Sequence, residues 1–340
     1  MSELGEFEII GRYFADSRLN FDAPGITRGP GDDCALIEPP ADKLQAISMD
    51  VLVEGVHFPA SIDAFALGHR ALAVNLSDLA AMAAQPYYFT LGLTLPNYDH
   101  DWLQAFSDGM SRLAREYGCP LVGGDLTRGP LQVAIQVCGL ISQERALTRN
   151  AAKVGDLVCV TGTLGDAACG LLVRNLASHL GPEFQFKSGD IPEHSAAFFQ
   201  NSFFYPRPRI AFALRAASQV NAAIDISDGL VGDLGHILNA SGVGATLQLD
   251  RIPVSQSSED CLAREQSLRA ALFGGDDYEL CFTVPSAAGE SIARLGRETG
   301  VQVSIIGEIT ETPGLRLNGD AELVRKLQGG AYKHFGETSS

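Results

Sequence analysis

Six aspartate-bearing segments share one local pattern, in which an apolar strand or helix runs into a carboxylate beside glycine or serine. They are Gly31-Asp32-Asp33, Ile47-Ser48-Met49-Asp50, Asn75-Leu76-Ser77-Asp78, Gly123-Gly124-Asp125, Asp225-Ile226-Ser227-Asp228 and Gly274-Gly275-Asp276-Asp277. Glycine beside a carboxylate lets backbone and ligand approach closely, and α/β proteins build their sites at strand ends. Taken singly, each aspartate favours a structural reading: Asp50 or Asp125 as a turn cap, Asp228 as the cap of a following helix. Taken together, they point to cations. Carboxylates converging in one cleft raise one another's pKa values unless positive charge sits among them. Mg²⁺ suits such a set because it is hard, prefers oxygen and bridges a few carboxylates to substrate phosphates. Convergence itself is an inference from the shared pattern. The seven histidines never fall at zinc-ligand spacing with one another or with cysteine.

The charge balance supports the same chemistry. The 340 residues carry a formal net charge of −16, with 46% hydrophobic and 19% charged residues. That composition is globular, and the absence of a basic stretch argues against nucleic-acid binding. An acidic protein that binds phosphates needs metal ions between the two. No Gly-x-x-x-x-Gly-Lys-Ser/Thr loop, protein-kinase signature or Gly-x-Ser-x-Gly elbow is present. Gly162-Thr163-Leu164-Gly165-Asp166 opens a helix whose amides could receive an anion, although such a turn more often only starts the helix.

No uninterrupted apolar run is long enough to span a bilayer. Met1 to Phe14 carries Glu3, Glu6 and Glu8 rather than a basic region followed by an apolar one, so no secretory signal is expected. The seven cysteines form no Cys-x-x-Cys pair and mostly lie in apolar runs, as reduced core residues do. A cytoplasmic protein with no membrane partner is expected.

Elements must carry these residues into place. Periodicity predicts helices over Leu4–Phe14, Ala64–Ala84 and Asp101–Tyr117, the last closed by Gly118. Strands are expected at Leu44–Met49 and Tyr87–Leu95, and at Pro120–Val122 and Leu131–Ile141 around a tight turn at Gly123-Gly124-Asp125. The polar stretch Leu147–Gly155 reads as a domain boundary, giving domains 1–148 and 149–340. Beyond it come a strand at Leu157–Thr161, a helix to about Leu180, and an aperiodic stretch from Gly181 to Pro208. Helices at Ala211–Val220, Gly229–Ala240 and Ala287–Thr299 alternate with strands at Ala222–Ile226, Leu280–Val284 and Val301–Ile306. The class is α/β or α+β.

Several segments, in order, resemble the thiamine-monophosphate kinase family, within the superfamily of aminoimidazole ribonucleotide synthetase and selenophosphate synthetase. They are Gly31 to Ala35, Ser48 to Phe58, Ala73 to Met82, Gly123 to Gly129, Ala146 to Arg149, Ile224 to Leu230 and Gly274 to Leu280. The resemblance runs from about Gly5 to Phe335, and the Val53-to-Phe58 and Gly274-to-Leu280 stretches favour the kinase specifically. It implies a two-domain fold like aminoimidazole ribonucleotide synthetase, with an N-terminal mixed sheet that pairs across a homodimer and a C-terminal α/β domain. It also implies ATP-dependent phosphorylation of thiamine monophosphate to thiamine diphosphate with several Mg²⁺ ions, in a cleft beside the dimer interface.

Position by position, the resemblance implies that Asp33, Ser48, Asp50, Asp78, Asp125, Asp225 and Asp228 hold Mg²⁺, with Met49 giving its carbonyl and Asp32 able to share the role. Gly124, Asp125, Arg149 and Ser227 are expected to contact ATP, and His57, Asp276 and Tyr332 thiamine monophosphate. Asp78, Asp125, Asp225 and Arg149 are the expected catalytic group. Met49 stands where the family often has Thr, and Asp276 where it usually has the longer Glu. Two other readings share the aspartates. One is a synthetase of the same superfamily acting on a purine precursor, which has no need of Val53–Phe58. The other is a non-enzymatic acidic metal-binding protein, which releases no ADP.

Overall fold

Aspartate caps, a left-handed glycine and alternating burial set the elements of the first half. The computed structural model describes residues 5–15, 18–177, 180–181, 184–188 and 191–327. The chain divides into two compact units between Ala146 and Leu147.

In the first unit, α1 (Glu6–Ile10) runs into a π-helical turn at Gly11–Ala15, where periodicity alone predicts one continuous helix. β1 (Ile26–Arg28) and β2 (Leu36–Ile37) form a small antiparallel pair. β3 (Leu44–Val53) is an edge strand, followed by α2 (Ala64–Ala81), β4 (Gln85–Leu95), α3 (His100–Tyr117), β5 (Leu121–Arg128) and β6 (Gln132–Ile141). The sheet order is β3-β6-β4-β5, antiparallel except for the parallel β4–β5 pair. Asp63 caps α2 by accepting the Ala66 N–H, and Asp99 caps α3 by accepting the Trp102 N–H. Gly118, at φ +62°, ends α3 in the left-handed conformation that the sequence predicts.

One expectation fails here. Gly123-Gly124-Asp125 is not a turn. It lies inside β5, which continues to Arg128 because it pairs with β4 over its whole length, and the chain reverses at Gly129-Pro130. Gly124 is needed for packing: a Cβ there would lie 1.9 Å from the Leu91 carbonyl oxygen.

α2 is buried along nearly its whole length and packs on β3, β4, β6 and α3. The crossing of α2 and α3 is set by reciprocal glycines. A Cβ on Gly68 would lie 2.0 Å from the Phe106 carbonyl oxygen, and one on Gly109 would lie 2.0 Å from that of Phe65. Two backbones in direct contact leave α2 little freedom to slide.

The second unit is built on a six-stranded sheet of order β12-β9-β11-β7-β10-β8. Its strands are β7 (Leu157–Thr161), β8 (Ala222–Asp225), β9 (Gly244–Gln248), β10 (Leu280–Val284), β11 (Val303–Thr310) and β12 (Gly314–Asn318), with only β9–β12 parallel. The helices are α4 (Asp166–Val173), α5 (Glu193–Phe204), α6 (Ile210–Ala216), α7 (Leu230–Ser241), α8 (Gln256–Cys261), α9 (Arg264–Phe273), α10 (Gly289–Thr299) and α11 (Ala321–Leu327). Val158, Val160, Ile224, Leu234 and Ile306 are among the residues of its core. α4 stops at Val173, short of the expected Leu180. The stretch without clear periodicity contains α5, whose Ser195, Phe199 and Phe203 are buried at four-residue intervals while Phe198 is 40% exposed. Aromatics on both faces hide that period.

All seven cysteines are free thiols, and six are buried. Gly68→Ala should destabilise the protein by about 2–3 kcal/mol in urea unfolding, because the added methyl meets backbone. Gly235→Ala, in α7 with nothing within 4 Å of the new methyl, should be neutral or slightly stabilising.

Candidate functional site

In the first unit, alternate residues of β3 turn toward α2. Ser48 Oγ donates to Asp78 Oδ2 at 2.5 Å, and the Asp50 N–H donates to Asn75 Oδ1 at 3.0 Å. Asn75 is fully buried and its amide also donates to the Ala71 carbonyl at 2.9 Å, so it locks the strand to the helix. Burial, and then the charge of Asp78, push the Asp50 carboxyl up to about 6. Both influences act in one direction. Two carboxylates and a hydroxyl are hard oxygen donors of the kind Mg²⁺ takes, and a divalent cation would offset the repulsion at Asp50.

The other acids of this unit lie on other elements. Asp32 and Asp33 are exposed on the loop between β1 and β2, where Asp32 pairs with Arg28 at 2.5 Å and accepts the Asp33 N–H at 2.9 Å. Asp125 is exposed on β5, opposite Gly92. Among the described residues, no three Asp, Glu, His or Cys side chains form a group able to hold a metal ion. The structure thus brings together Ser48, Asp50 and Asp78, and leaves Asp32, Asp33 and Asp125 apart from that tie.

His57 ends a tight turn after β3. Its Nδ1 accepts the Val53 N–H at 3.1 Å, and its own N–H donates to the Val53 carbonyl at 3.0 Å. With Nδ1 engaged, a neutral His57 carries its proton on Nε2.

In the second unit, two loops are fastened side by side where β8 ends and β10 begins. The Ile226 N–H donates to the Glu279 carbonyl, the Tyr278 N–H to that of Ile226, and the Asp276 N–H to that of Ser227, at 2.7 to 2.8 Å. Asp276 and Tyr278 hold φ of +62° and +49°, and Gly275 has φ +69°. At Gly275 only glycine fits, since a Cβ there would lie 2.5 Å from the Ser227 carbonyl oxygen. Left-handed non-glycine residues cost on the order of 1 kcal/mol or more each and cluster at functional sites. The fastening brings Ser227 and Asp276 together, with Asp228 on the same turn and Asp225 at the end of β8. Arg149 is exposed, its carbonyl accepts the Ser241 hydroxyl at 2.9 Å, and its guanidinium acts on the nearby Asp233. Tyr332 lies outside the described residues.

The glycine turn that could have received an anion is already occupied. The Gly162 N–H donates to the Gln302 carbonyl, the Leu164 N–H to that of Pro253, and the Gly165 N–H to both carboxylate oxygens of Asp277 at 2.9 and 3.0 Å. Burial, followed by nearby negative charges, holds Asp277 well above the usual carboxylate range. Asp277 therefore serves the turn, while its neighbour Asp276 faces the Ser227 loop. Glu279 accepts the Thr161 hydroxyl and pairs with Arg209. Burial raises Asp166 to about 6 despite hydroxyl donors from Ser255 and Thr163.

Several positioning residues lie outside the sequence-derived set. Asn75 was visible as part of Asn-Leu-Ser-Asp, but its partner on β3 was not. Asp166 and Glu279 lie within quoted motifs but carried no role of their own, and Asp233 reads as an ordinary helix residue until the fold supplies its partners.

A direct test of the first cluster is pH. A carboxyl raised on folding contributes stability that is fully present below its unfolded value, near 3.8, and lost as pH rises through about 6. In chelator, Asp50→Asn should therefore match the parent near pH 4 and exceed it by on the order of 2 kcal/mol at pH 7. Chemical denaturation at the two pH values checks this.

Residues 31–141 match the model of the AIR synthase related protein N-terminal domain, and residues 153–320 match the C-terminal domain of the same family. The chain is 42% identical over 332 residues to the thiamine-monophosphate kinase of Escherichia coli strain K12, covering 97% of this chain and 98% of that protein. A crystal structure of thiamine-monophosphate kinase from Stenotrophomonas maltophilia K279a superposes with TM-score 0.80 at 39% identity, covering 88% of this chain and 92% of that one. A further solved structure, described as AaThiL complexed with AMPPCP and TMP, superposes with TM-score 0.72 at 29% identity, covering 89% and 91%. With such identity over nearly its whole length, the chain belongs to the thiamine-monophosphate kinase family.

Proposed function

We propose that the protein transfers the terminal phosphoryl group of ATP directly to thiamine monophosphate, yielding thiamine diphosphate and ADP with the help of several Mg²⁺ ions. The observation that carries this reading is the near full-length identity to relatives named for that activity. The related structure bound to AMPPCP, an ATP analogue, and TMP supports the substrate pair.

Phosphoryl transfer asks a protein mainly for positioning and charge neutralisation. In this reading Ser48, Asp50, Asp78 and the Met49 carbonyl hold Mg²⁺, and Asp32, Asp33, Asp125, Asp225 and Asp228 supply further oxygen donors. Bound Mg²⁺ neutralises phosphate charge and would let an acidic chain hold two anionic substrates. Gly124, Asp125, Arg149 and Ser227 contact ATP, where the Arg149 guanidinium balances charge on the phosphoryl group in transit. Asp78, Asp125, Asp225 and Arg149 form the catalytic group. Residues 1–148 then act as the metal-binding, ATP-binding and dimerisation domain, with 149–340 as the C-terminal α/β domain.

The phosphate of thiamine monophosphate is ionised near neutral pH, so the nucleophilic oxygen needs no strong base. His57 fits a positioning role rather than that of a base, because its Nδ1 already accepts the Val53 N–H. Asp276 suits the cationic thiazolium ring, and Tyr332 would stack against it.

A homodimer is part of the proposal. Ile47, Met49 and Val51 alternate along the edge strand β3 with side chains 59%, 57% and 39% exposed. An apolar edge face of that kind invites pairing with a second copy. No helix among the described residues is long and apolar enough to cross a membrane, and we place the protein in the cytoplasm.

Supplied with Mg²⁺ and ATP, the protein should convert thiamine monophosphate, but not thiamine, into the diphosphate, as read by chromatography. No product from either compound would overturn the reading. His57→Ala should raise the KM for thiamine monophosphate about tenfold with little change in kcat. A collapse of kcat at unchanged KM would instead make His57 a participant in the chemical step.

A further inference from the structure

The turn Ser227-Asp228 carries two of the residues assigned above to ATP and metal, yet its own conformation is imposed from outside it. Asp233, one turn into α7, is 2% exposed. A single oxygen of its carboxylate, Oδ2, accepts both the Ser227 N–H and the Asp228 N–H, each at 3.0 Å. The Asp233 N–H in turn donates to the Gly229 carbonyl at 3.0 Å, so the acceptor is fixed to the helix that the turn enters. On the opposite side, the Ser227 carbonyl accepts the Asp276 N–H at 2.8 Å. Ser227 is thus gripped through both its amide and its carbonyl.

Burying a carboxylate is costly, and the structure lets two main-chain donors and the nearby Arg149 offset that cost here. A hydrophobic residue at this first-turn position would leave two amides without their acceptor.

From this geometry we infer that Asp233 is a positioning residue for phosphoryl transfer: its Oδ2 sets the Ser227-Asp228 turn in the conformation that presents Ser227 to ATP and Asp228 to metal. The inference rests on the kinase reading. It requires one acceptor oxygen at one place, and the negative charge is secondary.

Two variants separate place from charge. Asp233→Asn keeps an acceptor oxygen in position and loses the charge. Asp233→Glu keeps the charge and moves the oxygens outward by one methylene. Asn should retain kcat/KM for ATP within a few-fold, and Glu should lose on the order of 100-fold, the scale of a displacement of about 1 Å at a reacting centre. Cooperative thermal unfolding near the parent midpoint, followed by circular dichroism, should show that each variant is folded. Parent-like kcat/KM in Asp233→Glu, or a loss in Asp233→Asn as large as that in Asp233→Glu, would overturn the inference. Failure of the unmodified protein to make thiamine diphosphate would instead strike the kinase reading, so the two failures are distinct.

Discussion

Like charges brought together must be neutralised, and most of this structure can be read as an answer to that constraint. Asp277 accepts the Gly165 N–H, Asp233 accepts two main-chain N–H groups, Asp166 accepts two hydroxyls, and Glu279 accepts a hydroxyl and pairs with Arg209. Each of these acids in the second unit accepts donors from the protein itself that partly offset its burial, which still lifts Asp166, Asp233 and Asp277 above the usual carboxylate range. Asp50 differs. Its surroundings, burial and the Asp78 charge, both disfavour its ionised form. Under the proposed function, a bound divalent cation would offset that opposition.

Position along the chain does not by itself sort these carboxylates. Asp276 and Asp277 are adjacent, but one is fastened beside Ser227 through its N–H and the other is spent on the Gly165 turn. The strained left-handed segment from Gly275 to Tyr278 is held by hydrogen bonds to Ile226 and Ser227, and the turn beyond Ser227 is held by Asp233. In the first unit, Asn75 performs a similar task for β3, and the glycine-to-backbone contacts of α2 with α3 keep that helix in register. Both units use buried polar groups to fix the main chain beside exposed or half-buried functional groups.

Much of this was legible in the sequence. Helical and strand periods located α2, α3, β4, β7 and β10, and the aspartate pattern marked Ser48, Asp50 and Asp78, which the fold draws together. What escaped depended on pairing between distant segments. Gly123-Gly124-Asp125 reads locally as a turn, and only the parallel partner β4 makes it strand. β9 and β12 are short, and they are defined by their pairing with each other and with β11. α5 carries aromatics on buried and exposed faces alike, so its period is masked. Asp233 and Asn75 act through main-chain groups on other elements, which no spacing rule announces.

Under the proposed function, a divalent cation completes the Ser48–Asp50–Asp78 cluster. Calorimetric titration with Mg²⁺ near pH 6, in two buffers of different ionisation enthalpy, measures the protons released on binding. Release of a fraction of a proton per protein, absent in Asp50→Asn, is the predicted result. Mg²⁺ binding with no proton release, or with the same release from Asp50→Asn, would contradict it.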